Sequence, residues 1–185
     1  MGKIEDLATY YEHHISAPWQ NTLSGGQHVM FVVYEKELER TLRSRIGEFE
    51  QATQHAGHGW KLVDCTCWFS EWMAGDEYRE AYFEDPDLLP MKLEGEFKRS
   101  VAGRLIDALE EADENTVVAI LGTASLYGFL RIHELVQDVE QAIRGRLLVF
   151  FPGTRNDNNY RMLDARDGWN YLAQSITHHD GEYAK

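Results

Sequence analysis

Four short apolar runs, rich in β-branched and aromatic residues, constrain the fold of this chain more than any other feature of its sequence. They occupy residues 29–34, 60–65, 116–121 and 146–151, and each is bounded by glycine or polar residues. Runs of this length and composition are typical of strands that are buried on both faces of a sheet. We therefore predict four interior strands.

Helical periodicity is found between the first and second apolar runs and again between the third and fourth. Apolar residues recur at helical spacing through residues 35–56 and again through residues 129–143. A strand, a covering helix and another strand form a right-handed parallel crossover. Two such units predict an α/β fold: one domain over residues 1–185, with a mainly parallel sheet of four to five strands and helices on both faces. Such a sheet is P-loop-NTPase-like or Rossmann-like, here without a phosphate loop.

Two further segments complete the organisation. In the long middle stretch, residues 66–115, an aromatic-rich insertion precedes a helix predicted after Pro90. After the fourth run, residues 161–164 and 169–176 flank a turn at 166–168 and predict a terminal hairpin.

Charge and cysteine usage narrow the classes of function. The net charge of −13 repels phosphate-rich polymers, which makes direct DNA binding a minority hypothesis. The two cysteines, Cys65 and Cys67, are too close in sequence to link distant parts of a fold, which favours a reducing compartment. The first 20 residues do not have the pattern of an export signal, and no apolar stretch approaches about 20 residues. We expect a cytoplasmic protein that does not enter the membrane.

Two motifs suggest nucleotide chemistry, but neither is complete. Residues 23–27 spell LSGGQ, the signature with which transporter-type ATPases contact a γ-phosphate, yet they run into the first strand rather than opening a helix. The loop at 122–128 follows the third strand, where doubly wound folds bind ligands, but it contains no lysine. No phosphate-loop motif occurs in the chain. We interpret the first motif as coincidence and the second as a tight turn.

Metal and catalytic sites are equally hard to assemble. Cys65 and Cys67 with His55 and His58 could be imagined as zinc ligands, but C-x-C is tighter than the usual spacing. No serine lies on a nucleophile elbow, and no pair of carboxylates stands out as acid and base. We assign no catalytic, cofactor-binding or metal-binding residue, and predict that the protein is not an enzyme.

Two segments are candidates for partner binding. The first is the end of the insertion, where Tyr78, Tyr82 and Phe83 are surrounded by charged residues. Large aromatic groups with a polar rim are typical of interface hot spots, whereas Trp68, Phe69 and Trp72 are expected to pack on the sheet. The second is a polar C-terminal segment, which either recognises a partner or ties a hairpin to the sheet. Its candidate residues are Arg155, Asn158, Asn159, Tyr160 and Arg161.

Longer segments carry a resemblance to a known family. Residues 55–64 (HAGHGWKLVD), 122–128 (GTASLYG), 147–153 (LLVFFPG) and 163–172 (LDARDGWNYL), together with residues 19–20 and 31–34, resemble the BrxB family along nearly the whole chain. That family consists of small proteins of bacteriophage-exclusion (BREX) systems. These systems protect bacteria against phage and also contain a DNA methyltransferase, a large ATPase and a PglZ-type protein.

The resemblance implies a role in phage defence and names no catalytic residues. It implies association with other BREX proteins, of which the PglZ-type protein is the preferred partner, and leaves the oligomeric state open. We therefore expect a non-catalytic adaptor. Two alternatives remain: a nucleotide-binding or small-molecule-binding regulator that uses the sheet edge near Glu35, Thr123, Ser125 and Arg155, and a DNA-binding accessory protein that uses Arg40, Arg43 and Arg45.

Overall fold

The computed structural model describes residues 2–20 and 25–178. Their centre is a parallel sheet of five strands in the order β2-β3-β4-β1-β7. A small antiparallel extension, β5 and β6, continues from β4. The strands are β1 Val29–Tyr34, β2 Gly59–Asp64, β3 Thr116–Leu121, β4 Arg146–Asn156, β5 Asn159–Met162, β6 Trp169–Asn170 and β7 Gln174–Ile176. The α/β class and the mainly parallel sheet are thus confirmed.

Helices cover both faces of this sheet, and each face has its own hydrophobic cluster. On one face lie α1 Lys3–Ile15, α2 Glu39–Ser44 and α3 Ile46–His55, which pack onto alternate residues of β1 and β4 such as Met30 and Phe150. On the other face lie α7 Lys98–Glu110 and α8 Ile132–Val139, which pack onto Phe31 and Phe151. Since successive strand residues point to opposite faces, strands buried on both sides are apolar at almost every position.

The middle of the chain contributes several short helices before α7. These are α4 Trp68–Gly75, α5 Arg79–Glu84, a 3-10 turn Pro86–Leu88 and α6 Leu89–Lys92, which runs through a π-helical turn, Leu93–Phe97, into α7. The helix predicted after Pro90 is therefore present. None of the helices in the described ranges combines the length and apolar character needed to cross a membrane.

The helix predicted over residues 35–56 is broken rather than continuous. It consists of a 3-10 turn Lys36–Leu38, then α2 and α3, with Arg45 between the two helices at φ −117° and ψ 11°. Leu42 and Phe49 are nevertheless both buried on the same side of the sheet. A break of one residue leaves the spacing of the apolar positions intact, so the periodicity could not reveal it.

The predicted C-terminal hairpin is present, because β5 pairs antiparallel with β6 across the predicted turn, although β5 begins at Asn159 and β6 ends at Asn170. A second hairpin, between β4 and β5, precedes it. β4 continues to Asn156, turns through Asp157, whose φ is 52°, and returns as β5. Residues 174–176 do not return along β5: they form β7, which pairs in parallel with β1. Gly153 permits the close approach of β5, because a Cβ there would overlap the backbone of Arg161.

The strand order creates a switch point beside β1. The chain leaves β1 through α2 and α3 on one face, and leaves β4 through the hairpin on the other. In open α/β sheets, ligands bind at the carboxyl ends of the strands where such connections diverge. This edge is therefore the first place to look for a site.

Candidate interaction surface

At the carboxyl edge of the sheet, the polar groups are engaged with one another. The guanidinium of Arg43 donates to Glu39 (2.8 Å), Asp64 (3.0 Å) and the hydroxyl of Thr66 (2.7 Å). The buried hydroxyl of Tyr34 donates to Glu39. Burial opposes ionisation of Asp64, but the hydrogen bonds from Thr66 and Arg43 outweigh it and lower its pKa. These polar groups bind one another and stabilise the edge of the sheet, so they do not form an open ligand site.

The loop after β3 is also committed to the fold. Gly122 has φ 87°, and a Cβ there would overlap Thr66 and Asp64. Thr123 is buried, and its hydroxyl donates to the carbonyl oxygen of Phe150 at 2.8 Å. The hydroxyl that could have bound a phosphate therefore ties this loop to β4. The turn interpretation fits this geometry.

The LSGGQ motif lies only partly within the described residues. Leu23 and Ser24 fall outside them, while Gly25–His28 forms a 3-10 turn that leads directly into β1. Because the turn opens a strand, it does not present the row of free N–H groups that a helix N-terminus would offer to a phosphate.

The cysteines and their neighbouring histidines do not converge. Cys65 is buried, its thiol donates to the Leu121 carbonyl, and burial, followed by the negative charge of Asp64, raises its pKa to about 12. Cys67 is exposed. His58 instead stacks on Trp19 at 3.8 Å and contacts the Asn115 side chain at 2.6 Å. Within residues 2–20 and 25–178, no group of three potential metal ligands occurs.

The arginines proposed for DNA contact lie on the face covered by α1. Arg43 is held as described above, and Arg45 pairs with Glu5 and Glu48. Arg40 is exposed and has no ion pair in the described part of the chain. A solvated, salt-bridged helix face accounts for two of the three.

The C-terminal hairpin mixes a buried aromatic side with an exposed polar side. Tyr160 is fully buried between Phe31 (4.9 Å between ring centroids) and Trp169 (5.1 Å), so it supports the hairpin and cannot contact a partner. The guanidinium of Arg155 lies 5.9 Å from its ring. Asn158 and Arg161 are exposed, and Asn159 is half-buried. A concavity of about 580 Å³ beside them is lined by Asn156, Asp157, Asn158, Asn159, Asn170, Tyr171 and Leu172.

The first part of the aromatic insertion packs against the core. Trp68, Phe69 and Trp72 pack against the hydrophobic cluster under α7. Phe69 stacks on Phe129 at 3.8 Å, and Phe97 meets Phe69 edge-on at 5.4 Å. These rings fix the start of the insertion to the sheet.

Beyond α4, the insertion leaves the core. Tyr78 and Phe83 are 57 % and 67 % exposed, as the hot-spot hypothesis requires, whereas Tyr82 is only 7 % exposed and turns inward. Two residues that the sequence analysis did not select are also exposed: Leu88 at 53 % and Met91 at 86 %. The available signal was the close spacing of Pro86 and Pro90, which bracket Leu88 and directly precede Met91, since it predicts a helix too short to bury a face.

We call the exposed side chains of Tyr78, Phe83, Leu88 and Met91 the α5–α6 face. Tyr78 directly precedes α5, Phe83 lies on α5, Leu88 on the Pro86–Leu88 turn and Met91 on α6. α5 packs against the Pro86–Leu88 turn, and that turn packs against α6. None of the four belongs to either hydrophobic cluster. A group of apolar side chains that stays exposed outside the core is typical of an interaction site.

The structure thus defines an α/β protein in which the polar groups at the carboxyl edge of the sheet bind one another. Of the seven exposed large apolar side chains in the described residues, four lie on the α5–α6 face. The family model described as BREX protein BrxB matches residues 86–176, about half of the chain. No curated protein and no solved structure matches the chain. The match confirms the resemblance: residues 86–176 are similar to the BrxB family, whose model is described as a BREX protein.

Proposed function

We propose that this protein is a non-catalytic, cytoplasmic adaptor that binds other BREX proteins through the α5–α6 face, with the PglZ-type protein as its first partner. The observation that carries the proposal is the exposure of four large apolar side chains outside both hydrophobic clusters. Aromatic residues and methionine are enriched at interface cores, and their burial drives association.

The state of the carboxyl edge supports an adaptor over a nucleotide-binding regulator. The hydroxyl of Thr123 is engaged with Phe150, and Arg43 is engaged with three side chains. A ligand at this edge would have to break these contacts and contribute more binding free energy than they do. A partner on the α5–α6 face would disrupt nothing comparable.

Co-purification from the complete operon tests the proposal. We expect the tagged wild-type chain to retain the PglZ-type protein, and a Phe83→Ala/Met91→Ala variant to lose it while remaining folded. Leu172→Ala is the matched control, because Leu172 is 77 % exposed but lies beside the hairpin. The proposal fails if the double variant retains its partners in full, or if strains that carry it keep full phage resistance and host methylation.

A further inference from the structure

The segment that bears the α5–α6 face is strongly acidic. Residues 76–96 contain eight acidic and two basic side chains, which gives a formal charge of −6 out of −13 for the whole chain. This segment is little more than a tenth of the sequence. The negative charge of the protein is therefore concentrated around its exposed apolar residues.

Acids of the same segment already neutralise its two basic groups. The guanidinium of Arg79 lies 3.3 Å from Glu80 and donates to the Ala74 carbonyl at 2.8 Å. The ammonium of Lys92 lies 2.8 Å from Glu96 and 3.9 Å from Asp76, whose side chain is nearly buried. No basic side chain of the segment is left to pair with the others.

Five carboxylates of the segment consequently have no ion pair among the described residues, and all five are exposed. They are Glu77, Glu84, Asp85, Asp87 and Glu94. Two of them, Glu84 and Asp87, directly flank Phe83 and Leu88 in sequence. The arrangement is an apolar centre with an unneutralised acidic rim.

Building on the proposed function, we infer that the occupant of the α5–α6 face is a cationic amphipathic segment of a partner protein. Its apolar side would cover Phe83, Leu88 and Met91, and its Lys or Arg residues would pair with the rim. Opposite charges at a rim accelerate association and disfavour wrong partners. An amphipathic helix laid on an apolar surface is a recurrent form of such recognition.

The same charges disfavour the other occupants. A second copy of the chain would bring one acidic rim against another. Nucleic acid and anionic membrane surfaces carry negative charge and would be repelled. A cationic protein segment is the occupant that satisfies the apolar centre and the rim together.

The probe is a synthetic helical peptide with leucines on one face and lysines on the other. Two matched peptides replace the lysines with glutamate or the leucines with serine. Fluorescence anisotropy with the full chain should show binding of the leucine–lysine peptide alone. Because surface charges are screened by salt, its affinity should fall roughly tenfold or more between low salt and about 0.5 M.

Two charge-reversal variants test whether the rim itself is responsible. Glu84→Lys/Asp87→Lys should weaken peptide binding by about tenfold or more, since it replaces two attractive contacts with repulsive ones. Glu110→Lys/Glu114→Lys changes the net charge equally at exposed acids outside the segment, and should leave binding within about twofold. Equal loss in both variants, or equal binding of the leucine–glutamate peptide, would overturn the inference. A wild-type dimer in light scattering that Phe83→Ser abolishes would also overturn it.

Co-purification separates failure of this inference from failure of the adaptor proposal. If Glu84→Lys/Asp87→Lys retains the BREX proteins while Phe83→Ala/Met91→Ala loses them, the adaptor proposal stands and the cationic occupant is excluded. If both variants retain them, both proposals are overturned. If both variants lose the BREX proteins while the Glu110→Lys/Glu114→Lys control retains them, the adaptor proposal and the cationic occupant are both supported.

Discussion

The C-terminal hairpin and the α5–α6 segment have similar compositions, aromatic residues among charged and polar ones, but the fold uses them in opposite ways. The hairpin continues from β4, so Tyr160 and Trp169 lie over the sheet and pack against Phe31. The α5–α6 segment leaves the sheet after α4, so Phe83 and Met91 face solvent. Position relative to the sheet, rather than composition, decides which aromatic residues stabilise the protein and which are available to a partner.

The largest expected contrast between the two regions is in stability. Tyr160→Ala should lower the free energy of unfolding by about 3–5 kcal/mol, because it removes a fully buried ring and leaves a cavity beside Phe31 and Trp169. Phe83→Ala should change it by less than about 0.5 kcal/mol, because that ring is mostly solvated. Urea denaturation of the two variants measures both values. Similar losses would mean that the two regions do not differ as the structure indicates.

The second contrast is in partner binding, and it should run the other way. Phe83→Ala/Met91→Ala should weaken binding of the PglZ-type protein by about tenfold or more, roughly 1.4 kcal/mol, if these side chains form the centre of the interface. Titration calorimetry with the purified proteins gives the affinity. Arg161→Ala, at an exposed hairpin position, is the control and should retain wild-type affinity. A larger loss for Arg161→Ala would move the interface to the hairpin.

A third and smaller contrast concerns alkaline pH. Burial raises the pKa of Tyr160, and burial together with the hydrogen bond to Glu140 raises that of Tyr171. The folded state thus favours the neutral phenols, whereas in the unfolded chain they ionise near pH 10. Their contribution to stability is full below about pH 10 and is lost as the pH rises toward the folded pKa values. Urea denaturation between about pH 9 and 11.5 should show a stability that is level at first and declines above about pH 10.

The variant Tyr171→Phe isolates the hairpin contribution. It cannot ionise at this position, so its stability should decline less steeply over the same pH interval than that of the wild-type chain, whatever its starting value. An identical slope would show that Tyr171 ionises equally in both states. Tyr78→Phe, on the α5–α6 face, is the control at an exposed position.

Much of the fold could be predicted because each central strand is recognisable from the apolar character of its own residues. The runs at 29–34 and 116–121 coincide with β1 and β3, since interior parallel strands are apolar at nearly every residue. The hairpin was harder. Its strand was predicted at 161–164 rather than at Asn159–Met162, so the alternation that buries Tyr160 and Met162 and exposes Arg161 could not be applied.

The candidate surface was only partly predictable for a different reason. α5 has six residues and α6 has four, and helices of that length show too few turns for periodicity to separate an inward from an outward side. Tyr82 was therefore grouped with Phe83 although it turns inward, while Leu88 and Met91 were not selected. Their exposure depends on where the segment leaves the sheet, which is a tertiary property.

The smallest expected effect concerns Leu172, an exposed apolar residue that does not fit the contrast between the hairpin and the α5–α6 segment. Leu172 belongs to the hairpin region, yet it is 77 % exposed beside the concavity formed with Asn158 and Asn159. If the hairpin only stabilises the fold, Leu172→Ala should change the free energy of unfolding by less than about 0.5 kcal/mol and leave partner affinity unaltered. Denaturation and calorimetry on the same preparation give both values. A tenfold loss of affinity without loss of stability would instead show that the partner spans the hairpin as well as the α5–α6 face.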